Sequence, residues 1–244
     1  MAAPLVEVTA FTHQGRVRED NQDSITVGGW VSDVAMTGLR RSRHPLDAPL
    51  ICAVADGMGG HAAGEVASRY AIKRLAAQSW AGAEAGMVAD VLAGINAELY
   101  QAMAGERSLL GMGTTAVGLL LSAGGLLWFN VGDSRLYRYR DAALRQISVD
   151  DVPAGPRRGT ITQALGGSRV LTPVAPHVGT QALSVPSRWL LCSDGLTDML
   201  TESEIAPAMA LDDEAAAGRL FETAMAAGGH DNISFIIVSV GAAE

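Results

Sequence analysis

Residues 50–55 read Leu-Ile-Cys-Ala-Val-Ala, without one polar side chain. A strand with one wet face alternates apolar and polar residues, so an unbroken apolar run of this length fits a strand covered on both faces. Residues 187–193 (SRWLLCS) read the same way, and residues 232–240 (NISFIIVSV) supply a final strand. Such sheets need covering layers, and helical stripes provide them. Over residues 63–80, Ala67, Ala71 and Leu75 recur every four positions beside Val66 and Tyr70. Residues 87–103 carry Val88, Val91, Leu92, Ile95 and Leu99 on a similar stripe, and residues 202–227 read as helical with a break near Leu211-Asp212-Asp213.

The remaining strands come in hairpins. Residues 114–121 and 126–132 are apolar runs separated by a Ser-Ala-Gly-Gly turn, and residues 134–140 alternate apolar and basic side chains before a turn at 141–143. Residues 24–31 read as a strand and turn, residues 32–48 as an exposed hairpin loop, and residues 148–160 as loop. Hairpin-joined strands with helices in separate blocks predict an α+β fold of antiparallel sheets covered by helices, not a βαβ order.

Several function classes are disfavoured at once. The chain has 244 residues, 48% hydrophobic and 18% charged, which excludes disorder. Its net charge of −8 is the wrong sign for a nucleic-acid binder. No apolar run approaches the ~18 residues of a membrane span, and the N-terminus lacks a signal-peptide core, so a soluble, cytoplasmic protein is expected. Cys52 and Cys192 sit inside apolar runs and read as buried free thiols, not as a disulfide or a zinc site.

Four aspartates share one context. Asp56 follows LICAVA, Asp133 follows LLWFNVG, Asp194 follows WLLCS, and Asp231 precedes NISFIIVSV; a fifth cluster, Glu19-Asp20-Asn21-Gln22-Asp23, precedes SITVGGW. Strand ends of one sheet converge on one edge, where several carboxylates raise one another's pKa unless a cation intervenes. Oxygen-only donors suit Mg²⁺ or Mn²⁺. Each Asp taken alone also fits a turn or a helix N-cap. A phosphate-binding loop at Gly57–Gly60 is excluded, because His61-Ala62-Ala63 follow where Lys and Ser or Thr are required.

Seven motifs, in order, carry a resemblance: VREDNQDS (17–24), AVADGMGGHAAGEVAS (53–68), GTTAV (113–117), NVGDSRLYRY (130–139), ITQALGG (161–167), LLCSDGLTDML (190–200) and GGHDNISFIIV (228–238). Across residues 9–240 the chain resembles the metal-dependent Ser/Thr protein phosphatases of the PPM type (type 2C), their bacterial stand-alone branch most closely. The resemblance implies a four-layer α-β-β-α sandwich, two antiparallel sheets flanked by helices, and one catalytic domain over residues 1–244 without a fused regulatory domain. It implies two core Mn²⁺ or Mg²⁺ ions and a third, weaker one. Asp56 would bridge the core ions, with the Gly57 carbonyl a second contact and Asp194 and Asp231 further ligands. Asp133 would share the third ion with Asp194. Arg18 would bind the substrate phosphate, Asp23 would hold metal-bound waters, and Asn232 would steady the neighbouring loop. The implied reaction is hydrolysis of phospho-Ser and phospho-Thr by a metal-bridging hydroxide, without a phosphoenzyme. Phosphoprotein substrates shared with a Ser/Thr kinase, and a monomeric state, are the expected partnerships.

Three departures stand out. Gln22 replaces a Glu ligand of many relatives, so the second ion should bind more weakly or through water. Met58 occupies the position at which some relatives have a histidine general acid; His61 is the nearby candidate, against a plain helix-capping or loop-bonding role. The flap between LRQIS and ITQALGG is shortened, with Asp150 and Asp151 at its start and Arg157 and Arg158 further on, either to attract a phosphopeptide or to form a solvated basic loop. A non-catalytic phosphoprotein-binding module and a small-ester phosphatase are the competing readings.

Overall fold

In a computed structural model, the structure describes residues 3–59, 62–154 and 160–242. The strands are β1 (Leu5–His13), β2 (Asp23–Val27), β3 (Trp30–Ser32), β4 (Arg40–Pro45), β5 (Leu50–Met58), β6 (Gly113–Thr114), β7 (Ala116–Ser122), β8 (Gly125–Val131), β9 (Arg135–Arg140), β10 (Ala143–Gln146), β11 (Leu165–Gly166), β12 (His177–Gln181), β13 (Ser187–Cys192) and β14 (Ile233–Gly241). The helices are α1 (Ala62–Ala77), α2 (Ala85–Gly105), α3 (Asp194–Thr197), α4 (Glu202–Ala208) and α5 (Asp213–Ala226).

One sheet has six strands in the order β10-β9-β13-β14-β1-β4; the other has eight, its spine running β5-β7-β8-β12, with β2 and β3 on the opposite side of β5. Every pairing is antiparallel. The unbroken apolar run in β5 now has its reason. Ile51, Ala53 and Ala55 pack under α1 and α2, whereas Cys52 and Val54 point into the layer between the sheets. Likewise Leu190 and Cys192 of β13 meet α4 and α5, and Trp189 and Leu191 face the other sheet. Three apolar layers separate four layers of structure, giving the α-β-β-α sandwich that the resemblance implied.

The helix stripes are buried as expected at Ala67, Ala71 and Leu75 in α1 and at Val88, Leu92, Ile95 and Leu99 in α2. Residues 32–48 are a correction. Their second half forms β4, which pairs with β1 from Leu5↔Pro45 to Ala10↔Arg40 at the sheet edge. None of the β4 side chains is buried, so no apolar alternation marks this edge strand and its sequence resembles a loop. The break in the last helical block separates α4 from α5, where the Asp212 carboxylate caps α5 by accepting from the N–H groups of Glu214 and Ala215.

Candidate active site

The strands deliver their acidic ends to one end of the sandwich. Asp56 lies near the end of β5, opposite Asp23 of β2 in the ladder; Asp133 follows β8; Asp194 opens α3 directly after β13; Asp231 precedes β14. The expectation of one sheet edge is thereby corrected. Asp56 and Asp133 come from the eight-stranded sheet, Asp194 and Asp231 from the six-stranded one. All four line a cleft of about 900 Å³ with Arg18, Gln22, Gly57 and Met58.

The backbone around Asp56 is fixed from both sides. Its N–H donates to Thr115 Oγ1 at 3.0 Å, and its carbonyl accepts from the Thr115 N–H and the Thr114 hydroxyl, each at 2.9 Å. Thr115 also meets Ser134 at 2.7 Å, which ties β5 to the turn carrying Asp133. Asn232 clamps the loop that bears Arg18: its Oδ1 accepts from the Gln22 N–H at 2.8 Å, and its Nδ2 donates to the carbonyls of Gln14 and Asp20. At the root of the flap, Asp150 is held by the Arg135 guanidinium, and Asp151 accepts from the Gly132 N–H, from Gln163 and, at 2.9 Å, pairs with His177. Residues 148–154 and 160–164 carry neither helix nor strand. His61, Arg157 and Arg158 lie outside the described residues.

Asp23 is fully buried and does not line the cleft; its Oδ2 accepts from Ser193 Oγ at 2.8 Å. Its Oδ1 has no hydrogen-bond partner among the described residues. Burial above all, with the charges of Asp194 and Asp231, pushes its carboxyl pKa up to about 8 against the lowering effect of serine hydroxyl hydrogen bonds. Burial and the nearby Asp194 bring Asp133 to about 7. Asp56 is pushed well above the ordinary carboxylate range by burial and by Asp23 and Asp194, and it shares a hydrogen bond with Asp194, itself raised by burial. Among the described residues Arg18 is the one guanidinium lining the cleft. It donates to Asp231 Oδ2 at 2.6 Å, which raises its pKa, and its side chain is 56% exposed.

Oxygen donors, mutual repulsion among carboxylates and an orphaned buried carboxylate oxygen fit a divalent cation in charge and donor type. Among the described residues no three His, Cys, Asp or Glu side chains stand as a ready-made chelating group. Here Arg18 supplies the local positive charge.

The raised pKa values make stability pH-dependent. Asp23 and Asp133 start from 3.8 and rise to about 8 and about 7 in the fold, so the folded state holds more protons between those values. Stability then falls as pH rises through that window. The cation-free protein is expected to melt at a lower temperature at pH 8 than at pH 5, and Mn²⁺ at pH 8 should restore the loss. Melting curves at the two pH values with and without Mn²⁺ test this; a cation-free Tm higher at pH 8 contradicts it.

Residues 41–227 match the family described as protein phosphatase 2C. The chain belongs to that family. This type 2C chain is 33% identical over 257 residues to the serine/threonine protein phosphatase PstP of Mycobacterium tuberculosis, covering 97% of this chain and 45% of that protein. It therefore spans about half the length of that relative. The serine/threonine phosphatase stp of Listeria welshimeri is 32% identical over 93% of each chain. The crystal structure of the PstP catalytic domain in complex with two manganese ions superposes with a TM-score of 0.78 at 31% identity, covering 97% of this chain and 99% of that one. The two-sheet sandwich is thus the type 2C fold.

Sequence reasoning passed over several residues of the cleft. Thr115 stands only within GTTAV in the sequence reading, although its hydroxyl ties β5 to the turn carrying Asp133. His230 lines the cleft and is exposed, and its position directly before the Asp-Asn motif was the available signal.

Proposed function

We propose that this chain is a Mn²⁺- or Mg²⁺-dependent protein phosphatase acting on phosphoserine and phosphothreonine. The observation that carries the reading is the convergence of Asp56, Asp133, Asp194 and Asp231 from two sheets beside Arg18. Asp56, the Gly57 carbonyl, Asp194 and Asp231 would hold two core ions, with Asp133 and Asp194 holding a third. When bound, these ions supply Lewis acidity and bring the pKa of water toward neutrality.

The chain's own residues do the rest. Arg18 orients the phosphoryl group and offsets its charge, exchanging its bond to Asp231 for bonds to phosphate oxygens. Asn232 and Gln22 hold the loop that presents it. Asp23, buried behind Asp56, positions the cleft floor through Ser193. Neither thiol serves as a nucleophile: Cys52 and Cys192 are fully buried, and burial pushes each thiol up to about 12. Direct attack without a phosphoenzyme agrees with that. Met58 lines the cleft and has no proton to give, so the proton for the leaving alkoxide comes from elsewhere in the open cleft, whose lining includes the exposed His230.

The partners are phosphorylated proteins, shared with a Ser/Thr kinase of opposite action. Among the described residues, no helix is long and apolar enough to cross a membrane. Two free buried cysteines suit a reducing cytoplasm. Pairing of β1 with β14 supports one catalytic domain over residues 1–244, and we take it to act as a monomer.

Hydrolysis of p-nitrophenyl phosphate and of phospho-Ser, phospho-Thr and phospho-Tyr peptides tests the reading. Turnover should require Mn²⁺ or Mg²⁺, vanish with EDTA and favour phospho-Ser and phospho-Thr. Activity surviving EDTA sinks the metal dependence, and phosphopeptide binding without phosphate release identifies a binding module instead.

A further inference from the structure

The two sheets leave one side of the sandwich open, between the edge strands β10 and β12. A cavity of about 640 Å³ fills that opening, and Trp128, Arg138, Arg140, Arg145 and Gln181 line it. In the antiparallel β9–β10 ladder Arg138 and Arg145 are direct Cα partners. Arg140 follows two residues on, so the same face of β9 carries both. Like charges directly opposite each other destabilise a sheet.

Among the partly buried arginines of this acidic chain, Arg74 meets Glu98, Arg135 meets Asp150 and Arg188 meets Asp213. Among the described residues of the cavity, only Arg140 meets a carboxylate, that of Asp141, which also lines the cavity and is 85% exposed. Arg138 donates to Ser184 Oγ at 2.8 Å and lies over the Trp189 ring at 5.4 Å. Its Nε is buried and without a hydrogen-bond partner among the described residues. Arg145 has no carboxylate partner among the described residues. Planar guanidinium forks match the oxygens of a tetrahedral oxyanion, and an anion held between them cancels the cross-strand repulsion.

We propose that this arginine-lined cavity is a second, non-catalytic site that binds a phosphate group. Arg138 stands five residues beyond Asp133, on the order of 15 Å along an extended strand. The phosphate is either free orthophosphate or a second phosphoryl group on a phosphoprotein segment that also reaches the cleft. Binding of orthophosphate does not depend on the catalytic reading, because its readout is binding; the phosphoprotein source rests on that reading.

Trp128 and Trp189 flank the arginines, so intrinsic fluorescence can report occupancy. Inorganic phosphate is titrated into the full chain at ionic strength held constant with NaCl. Expected is a saturable change in the wild type, weakened at least tenfold in R145Q and unchanged in R18Q. Phosphate should also raise the Tm of the wild type more than that of R145Q, and R145Q should melt no lower than the wild type without phosphate. R145K keeps the charge without the fork and should fall between them. A wild type that gives no saturable change, an R145Q that responds like the wild type, or a response abolished by R18Q overturns the proposal. A peptide with two phosphoserines, compared with its singly phosphorylated forms on D56N, separates the sources. If R145Q/D56N erases the tighter binding of the double phosphopeptide, the ligand is a phosphoprotein segment; if all peptides bind alike, it is orthophosphate.

Discussion

Asp56→Asn is expected to lower turnover of p-nitrophenyl phosphate by at least about a thousandfold at saturating Mn²⁺, the equivalent of about 4 kcal/mol in the transition state. Asn keeps the shape and the backbone bonds to Thr115 but removes the charge at the centre of the cluster. The same change relieves repulsion. Asp56 faces Asp23, Asp194 and Asp231, each of which raises its pKa. The cation-free variant should therefore melt at or above the wild-type temperature at pH 8. Steady-state kinetics together with thermal unfolding check both halves. Activity within tenfold of the wild type rules out Asp56 as the central ligand, and a large drop in Tm means that it serves the fold instead.

Gly57→Ala, one residue on, should do the opposite: damage the fold first. A Cβ at Gly57 would lie 2.2 Å from the Gly64 carbonyl oxygen and 2.6 Å from that of Gln22. Both contacts are backbone, one in the first turn of α1 and one on the loop before β2, so no side chain can swing aside. Overpacking costs about 1–3 kcal/mol where neighbours can relax and more where they cannot. For a domain of this size about 3 kcal/mol corresponds to a Tm lower by roughly 6–12 °C. Calorimetry of the cation-free variant is the measurement. A Tm within 2 °C of the wild type (about 1 kcal/mol or less) would show that the chain slips apart here at little cost.

Gly57 also shows what a sequence can and cannot convey. The glycine was legible, and so was one reason for it, the approach of its carbonyl to a cation. The second reason, contact with Gly64 and Gln22, depends on how α1 and the Arg18 loop lean on β5, and no local pattern encodes that. The doubly covered strands β5, β13 and β14 were plain, because burial on both faces leaves long apolar runs with few polar positions. β4 was missed because RRSRHP is an edge strand whose side chains pair with Glu214 and Glu7 across solvent. β12, with Gly179 pressed on Trp128, likewise offers no run to recognise. In the site, the aspartates could be picked out by their place at strand ends, whereas their division between two sheets could not. Which sheet a hairpin joins is decided by long-range pairing, such as that of β9 with β13. The buried role of Asp23 was hidden for the same reason: Ser193, its partner, lies 170 residues away.

That division gives the apolar layer between the sheets an unexpected duty. Val54 and Val117 press from one sheet, Leu191 and Ile236 from the other, and their combined bulk sets how far apart the sheets stand. Asp56 and Asp133 ride on the first sheet and Asp194 and Asp231 on the second, so the filling acts as a spacer that gauges the gap across the acidic cluster. Trimming or enlarging one of these hydrocarbon side chains shifts two carboxylates against the other two. Oil in the middle of the molecule thus tunes the electrostatics at its rim.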